Sequence, residues 1–170
     1  MAEYDVKKIE LTANGKKVTY LPGKLDVEDI LEVSPQGDRL YKLDDIRIDI
    51  WTEKYKYTYI FDKGFITNFR SGGFLIDFFI DQIGNQLEQI CWICHDGAYT
   101  PCSSLGDLHP ISRYEADNLL RAMLRFAKVS KVKYQLIYRN LRMFAGSAYS
   151  KDDELTPTNK KLFEFCKKGL

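Results

Sequence analysis

The run Ile46-Arg47-Ile48-Asp49-Ile50-Trp51-Thr52-Glu53-Lys54-Tyr55-Lys56-Tyr57-Thr58-Tyr59-Ile60-Phe61 decides the fold. Ile46, Ile48 and Ile50 alternate with Arg47 and Asp49, and Tyr55, Tyr57 and Tyr59 alternate with Lys56, Thr58 and Ile60. A period of two is that of a strand. Thr52-Glu53-Lys54 joins the two runs as a hairpin. Upstream, residues 7–12 and 17–21 flank Asn14-Gly15, a pair that takes positive φ easily, so a second hairpin is expected there. Leu21-Pro22-Gly23 closes that segment. Residues 24–44 are mixed and polar, with a turn at Pro35-Gln36-Gly37-Asp38. Downstream, Asp62-Lys63-Gly64 is a turn, residues 65–69 read as a short strand, and Ser71-Gly72-Gly73 is a loop.

Beyond residue 85 the period changes. Leu87, Ile90, Cys91, Cys94 and Ala98 make one stripe of a helix over residues 85–99. Pro101 to Pro110 is a loop. Ser112-Arg113-Tyr114-Glu115 is a capping-box pattern, which starts a helix at Arg113 with Ala116, Leu120, Met123, Leu124 and Ala127 buried. Ser130 caps a third helix carrying Tyr134, Ile137, Leu141 and Phe144, with Gly146 placed as its C-terminal cap. Thr156-Pro157 opens a last helix that Gly169 closes. Strands first and helices later predict an α+β fold: N-terminal antiparallel hairpins packed on a C-terminal bundle of about four helices. One domain over residues 1–170 is expected, with a β extension over 1–40, a core over 41–149 and a terminal helix over 150–170.

Composition bounds the function. The chain has 170 residues, 45% hydrophobic and 14% aromatic, enough for a real core. Its 25 Lys and Arg against 24 Asp and Glu leave a net charge of +1, which gives no electrostatic case for nucleic acid. No apolar run is long enough to span a bilayer, and Met1–Glu10 has no apolar signal core. Four Cys in that context read as thiols or metal ligands.

The chemistry-bearing stretch is Cys91-Trp92-Ile93-Cys94-His95-Asp96-Gly97-Ala98-Tyr99. His95 and Tyr99 are four apart, Asp96 and Tyr99 three apart, so a helix brings the three to one flank. An imidazole, a carboxylate and a phenol together serve general acid–base chemistry or hold a cation; the plainer alternative is a helix whose polar groups satisfy neighbours. Asp117 falls within the apolar stripe of Leu120 and Leu124, where a carboxylate needs a partner: an Arg, a helix end, a metal or His95. Cys91-x-x-Cys94-His95 matches the haem-attachment spacing, but that chemistry needs export. The CxxC also lies inside a helical pattern, unlike a redox pair that opens a helix. Cys91, Cys94, Cys102 and His109 have the ligand types of a zinc site without a standard finger spacing, and small core residues are the alternative for the two helical thiols. Ser71, Gly72 and Gly73 could cradle an anion with backbone N–H groups, although no Walker lysine follows.

Four segments together resemble a family of uncharacterised proteins found largely in tailed phages and prophages, the domain-of-unknown-function family numbered one-three-five-three. Its pattern runs GFxTDxxSxP, HDxxY, R-x-x-a-D, then a helix with Tyr and Arg ending in Gly. Here the segments are Gly64-Phe65-Ile66-Thr67-Asn68-Phe69-Arg70-Ser71-Gly72, His95-Asp96-Gly97-Ala98-Tyr99 and Arg113-Tyr114-Glu115-Ala116-Asp117, then Tyr138, Arg142, Phe144 and Gly146. The resemblance covers roughly residues 41–149. It implies a phage origin and a shared site at Asn68, His95, Asp96, Tyr99 and Asp117. Two departures stand out: Asn68 replaces the family's Asp, and Gly72 its Pro. An Asn still coordinates through its carbonyl oxygen but adds no charge. A local echo of secreted phospholipase A2, which also carries HDxxY on a helix, covers only Cys91–Tyr99 and the Gly-Gly loop.

The expectation is a non-enzymatic virion or host-interaction protein that keeps a His/Asp/Tyr polar network, located in the host cytoplasm or the virion. The alternative is a small metal-dependent hydrolase acting on cell wall or lipid. In that reading His95 is the base, Asp96 and Asp117 hold a divalent cation or orient His95, and Tyr99 positions a carboxylate. Asn68 would contribute from its loop, and Arg113 with Ser71, Gly72 and Gly73 would bind substrate. A zinc-stabilised module on the Cys ligands is a third reading.

Overall fold

The computed structural model describes residues 2–18, 28–33, 39–67, 86–150 and 156–170. Alternation builds the main sheet. Strands β1 (Lys8–Ala13), β2 (Lys16–Val18), β5 (Ile46–Trp51), β6 (Tyr55–Phe61) and β8 (Phe163–Gly169) lie in the order β2-β1-β5-β6-β8, antiparallel throughout. Asn14 and Gly15 both take positive φ, 48° and 74°, as a two-residue primed turn requires. Thr52 closes the central hairpin through Thr52 N–Tyr55 O at 2.9 Å. A smaller antiparallel sheet, β3-β4-β7, comprises β3 (Glu28–Val33), β4 (Arg39–Lys42) and β7 (Ile66–Thr67). Both β3 and β4 fall within the stretch read as mixed and polar: Glu28–Val33 has no period-two pattern, and four residues of β4 are too few to show one. The expected turns at residues 21–23 and 35–38 lie outside the described residues, as do residues 68–69 of the strand expected after Gly64.

Helices α1 (Gln86–Tyr99), α2 (Arg113–Phe126) and α3 (Lys131–Phe144) follow, then the short α4 (Gly146–Ser150) and α5 (Thr156–Asn159). The α+β reading therefore holds, and so do the two serine N-caps. Ser112 Oγ accepts from Glu115 N at 3.2 Å, and Ser130 Oγ accepts from Lys133 N at 3.4 Å. Glu115 also reaches the sheet, accepting from Tyr57 OH at 2.9 Å and Lys167 Nζ at 2.5 Å. One core takes Ile9, Leu11, Ile48, Ile50, Tyr57, Tyr59 and Phe61 from the sheet and Ile90, Cys91, Ile93, Cys94 and Ala98 from α1.

Two expectations are corrected. The C-terminal segment is not one helix: α5 ends at Asn159, and β8 pairs along all of β6, from Tyr55↔Gly169 to Phe61↔Phe163. Phe163 and Phe165 alternate with Glu164 and Cys166, and the open edge of β6 rewards that alternation with backbone bonds and aromatic burial. Gly146 is also no left-handed cap. Ala145 (φ −82°) ends α3, and Gly146 begins α4. A Cβ there would stand 2.9 Å from Arg113 Nη1, so a larger residue would make the guanidinium shift.

Gly97 sets how closely α1 approaches the sheet. A Cβ on it would meet Phe61 Cζ at 2.9 Å and Phe163 Cε2 at 3.1 Å. Those rings stack on each other at 5.1 Å between centroids, and Phe65 meets Phe61 edge-on at 4.8 Å. Alanine favours a helix over glycine by about 1 kcal/mol, whereas overpacking a filled core costs about 1–3 kcal/mol. Because the rings are held on several sides, overpacking wins. Gly97→Ala should lower stability by about 1–2 kcal/mol in urea unfolding, and an unchanged or raised midpoint would refute this account of the glycine.

Candidate functional site

Asp117 is the centre of the site. It lies in the second turn of α2, and none of its side chain is exposed. Its Oδ1 accepts from Tyr99 OH at 2.6 Å and faces His95 Nε2 at 3.0 Å. Its Oδ2 accepts from Arg142 Nη1 at 2.8 Å, with Arg113 Nε 3.8 Å away. His95 and Tyr99 reach Asp117 together because residues four apart share a helix face. An ionised carboxylate only accepts, so His95 Nε2 carries the proton. The other ring nitrogen, Nδ1, is buried without a hydrogen-bond partner among the described residues, as is Trp92 Nε1.

Burial pushes the Asp117 carboxyl up, but hydrogen bonds from His95, Tyr99 and Arg142 outweigh it and hold the group below the ordinary value of 3.8. Burial, then the bond to Asp117, raises the Tyr99 phenol well above its usual range. The Arg142 guanidinium is raised by its bond to Asp117. The centre is thus an ionised carboxylate whose Tyr99 and Arg142 donors keep their protons at neutral pH.

The other expected site residues go elsewhere. Asp96 follows His95 but points about 100° around the helix, where its Oδ2 accepts from Thr67 Oγ1 of β7. The expected single His95–Asp96–Tyr99 flank is therefore split between two partners. Arg113, expected to bind substrate, donates through Nη2 to Leu141 O and, at 3.0 Å, to Arg142 O, so it clamps the end of α3. Asn68, Ser71, Gly72 and Gly73 lie outside the described residues.

The zinc set does not assemble. Among the described residues, no group of three or more His, Cys, Asp or Glu side chains is placed to hold a metal ion. Cys91 Sγ donates to Leu87 O at 3.0 Å, Cys102 Sγ to Phe163 O at 3.0 Å, and Cys94 is buried in the core. Burial raises the Cys91 and Cys94 thiols well above their usual range, as for small core residues. His109 stacks on Tyr149 at 4.0 Å, and Tyr149 meets Tyr99 edge-on at 5.2 Å. Among the described residues, Asp96 and Asp117 likewise make no joint cation site of three such ligands.

Two residues of the site were not among the expected set. Arg142 completes the charge balance of Asp117, and Thr67 holds Asp96. Both stand in the segments that carry the family resemblance, which was the available signal for them. Compared with protein-family models, curated proteins and solved structures, the chain finds no match.

Removing one partner of a buried ion pair typically costs about 3–5 kcal/mol, because the other is left uncompensated. Asp117→Ala should therefore lose about 3–5 kcal/mol in chemical denaturation; a loss near zero would show that the network contributes nothing. The pH dependence has a defined sign. The folded carboxyl binds its proton less readily than the unfolded one, so its stabilisation is complete above the ordinary 3.8 and fades as pH falls through the lower folded value. Thermal midpoints of the wild type should fall below pH 4 more steeply than those of Asp117→Asn.

Proposed function

We propose that this chain is a non-enzymatic protein of phage or prophage origin, acting in the virion or on a host protein. In this reading the His95–Asp117–Tyr99–Arg142 network is an internal brace. The observation that carries it is that His95 and Asp117 touch directly while their side chains are sealed from solvent. A general base has to reach the proton it removes, and a sealed imidazole committed to a carboxylate does not. A satisfied buried network instead rigidifies a core and specifies its packing. The phage assignment is supported by the order of the four sequence segments. The near-neutral charge supports protein partners over nucleic acid.

One observation favours a second reading, a small hydrolase. Among the described residues His95 Nδ1 has no hydrogen-bond partner, and it is the second nitrogen of an imidazole held by a carboxylate. An oriented His of this kind is the arrangement used to activate a nucleophile.

The two readings part on turnover. Purified protein is incubated with peptidoglycan fragments, phospholipid vesicles and short-chain esters, with and without magnesium, calcium or zinc. The expected result is no product above the level of a His95→Gln control. Product formation that disappears in His95→Gln, with circular dichroism unchanged, would replace the brace by the hydrolase.

A further inference from the structure

The free edge of β8 carries a self-complementary pairing surface. Backbone directions follow from the hydrogen bonds at its two ends. Leu162 O accepts from Asp62 N at 2.8 Å, and Leu170 N donates to Lys54 O at 2.9 Å, so the even-numbered residues turn their backbone groups toward β6. Phe163 O, which accepts from Cys102 Sγ, turns the other way. In an antiparallel ladder this parity is maintained, so Phe165, Lys167 and Gly169 present their N–H and C=O groups away from the sheet. Among the described residues, none of the three has a backbone bond on that side. An edge of this length is a template for another strand unless something blocks it.

The side chains select the occupant. Glu164, Cys166 and Lys168 are exposed and, two residues apart, share the face of the sheet away from the core. Two copies of β8 running antiparallel with Cys166 opposite Cys166 place Glu164 opposite Lys168 twice. The same register sets Phe165 against Lys167 in the backbone-bonded positions. Moving the centre to Lys167 opposes two like charges, and moving it to Phe165 loses both ion pairs. Opposite charges across a strand pair stabilise it and like charges do the reverse. The turn Ser103–Leu105 packs beside the Phe163 end and limits pairing to the Glu164–Lys168 stretch.

We propose that a second copy of this chain docks on β8, joining two five-stranded sheets into one across a twofold axis at Cys166. This surface is independent of the Asp117 network and of the functional reading above.

Cys166 reports the register, because it is the exposed one of the four cysteines. Non-bonded antiparallel positions stand about 4.5 Å apart at Cα, within disulfide reach. Sedimentation velocity of the full chain should show a dimer at micromolar concentration. Copper-phenanthroline oxidation should cross-link it, and Cys166→Ser should abolish the cross-link without abolishing the dimer. Glu164→Lys should weaken dimerisation about tenfold or more, and adding Lys168→Glu should restore it. Both positions are exposed, so the monomer fold is not at stake. A monomer at all concentrations would overturn the proposal, as would a dimer that neither cross-links at Cys166 nor responds to the charge reversal.

Discussion

A carboxylate with no solvent exposure constrains the helical half of this protein. Taking Asp117 out of water carries a penalty that only close, well-aimed donors offset. Those donors come from two other helices: His95 and Tyr99 from α1, and Arg142 from α3. All three 14-residue helices therefore meet at two oxygen atoms. A rotation of α1 by one residue would turn His95 and Tyr99 away together, and a slide of α3 by one turn would withdraw Arg142. Arg113 adds a second tie, from the first turn of α2 to the last carbonyls of α3, and the bare Cα of Gly146 leaves room for its guanidinium.

The opposite side of α1 is fixed by shape. Gly97 rests on Phe61 and Phe163, whose rings belong to neighbouring strands of the main sheet. The helix is thus located on one side by directional hydrogen bonds and on the other by close packing. A third tie runs from α2 to the sheet through Glu115, which accepts from Tyr57 of β6 and Lys167 of β8. Because Tyr57 is buried and bonded to a carboxylate, its hydroxyl is held in its protonated state well beyond the ordinary phenol range.

These ties also explain which features could be read in the sequence. The alternation over residues 46–61 is a local signal of a local structure, and β5 and β6 form where it stands. The four-residue spacing of His95 and Tyr99 is likewise local, and an Asp in an apolar stripe already demands a partner. What no local pattern specifies is the partner's identity. Arg142 looks like any charge on a helix until α3 is folded against α2. The terminal strand was hidden for the same reason. Thr156-Pro157 does start a helix, but the edge of β6, a hundred residues earlier in the chain, decides where that helix stops. The strands β3 and β4 have no period of their own, and their pairing with each other and with β7 defines them.

The division of labour between His95 and Asp96 ties the two sheets and the helices into one interior. His95 turns toward Asp117, whereas Asp96 accepts from Thr67 of β7, a strand of the smaller sheet. That strand is held from its other side as well: Ile66 N donates to Asn159 Oδ1 at 3.0 Å, and Asn159 Nδ2 returns a bond to Ile66 O at 2.9 Å. A dipeptide in one turn of α1 therefore joins the helix layer to β7, and Asn159 joins β7 to the segment that leads into β8. The polar residues Thr67, His95, Asp96, Tyr99, Asp117 and Arg142 are scattered along the chain, yet each bond among them closes a contact between different elements. Among the described residues these bonds lie on the seams between elements, where a satisfied polar network fixes how the elements pack.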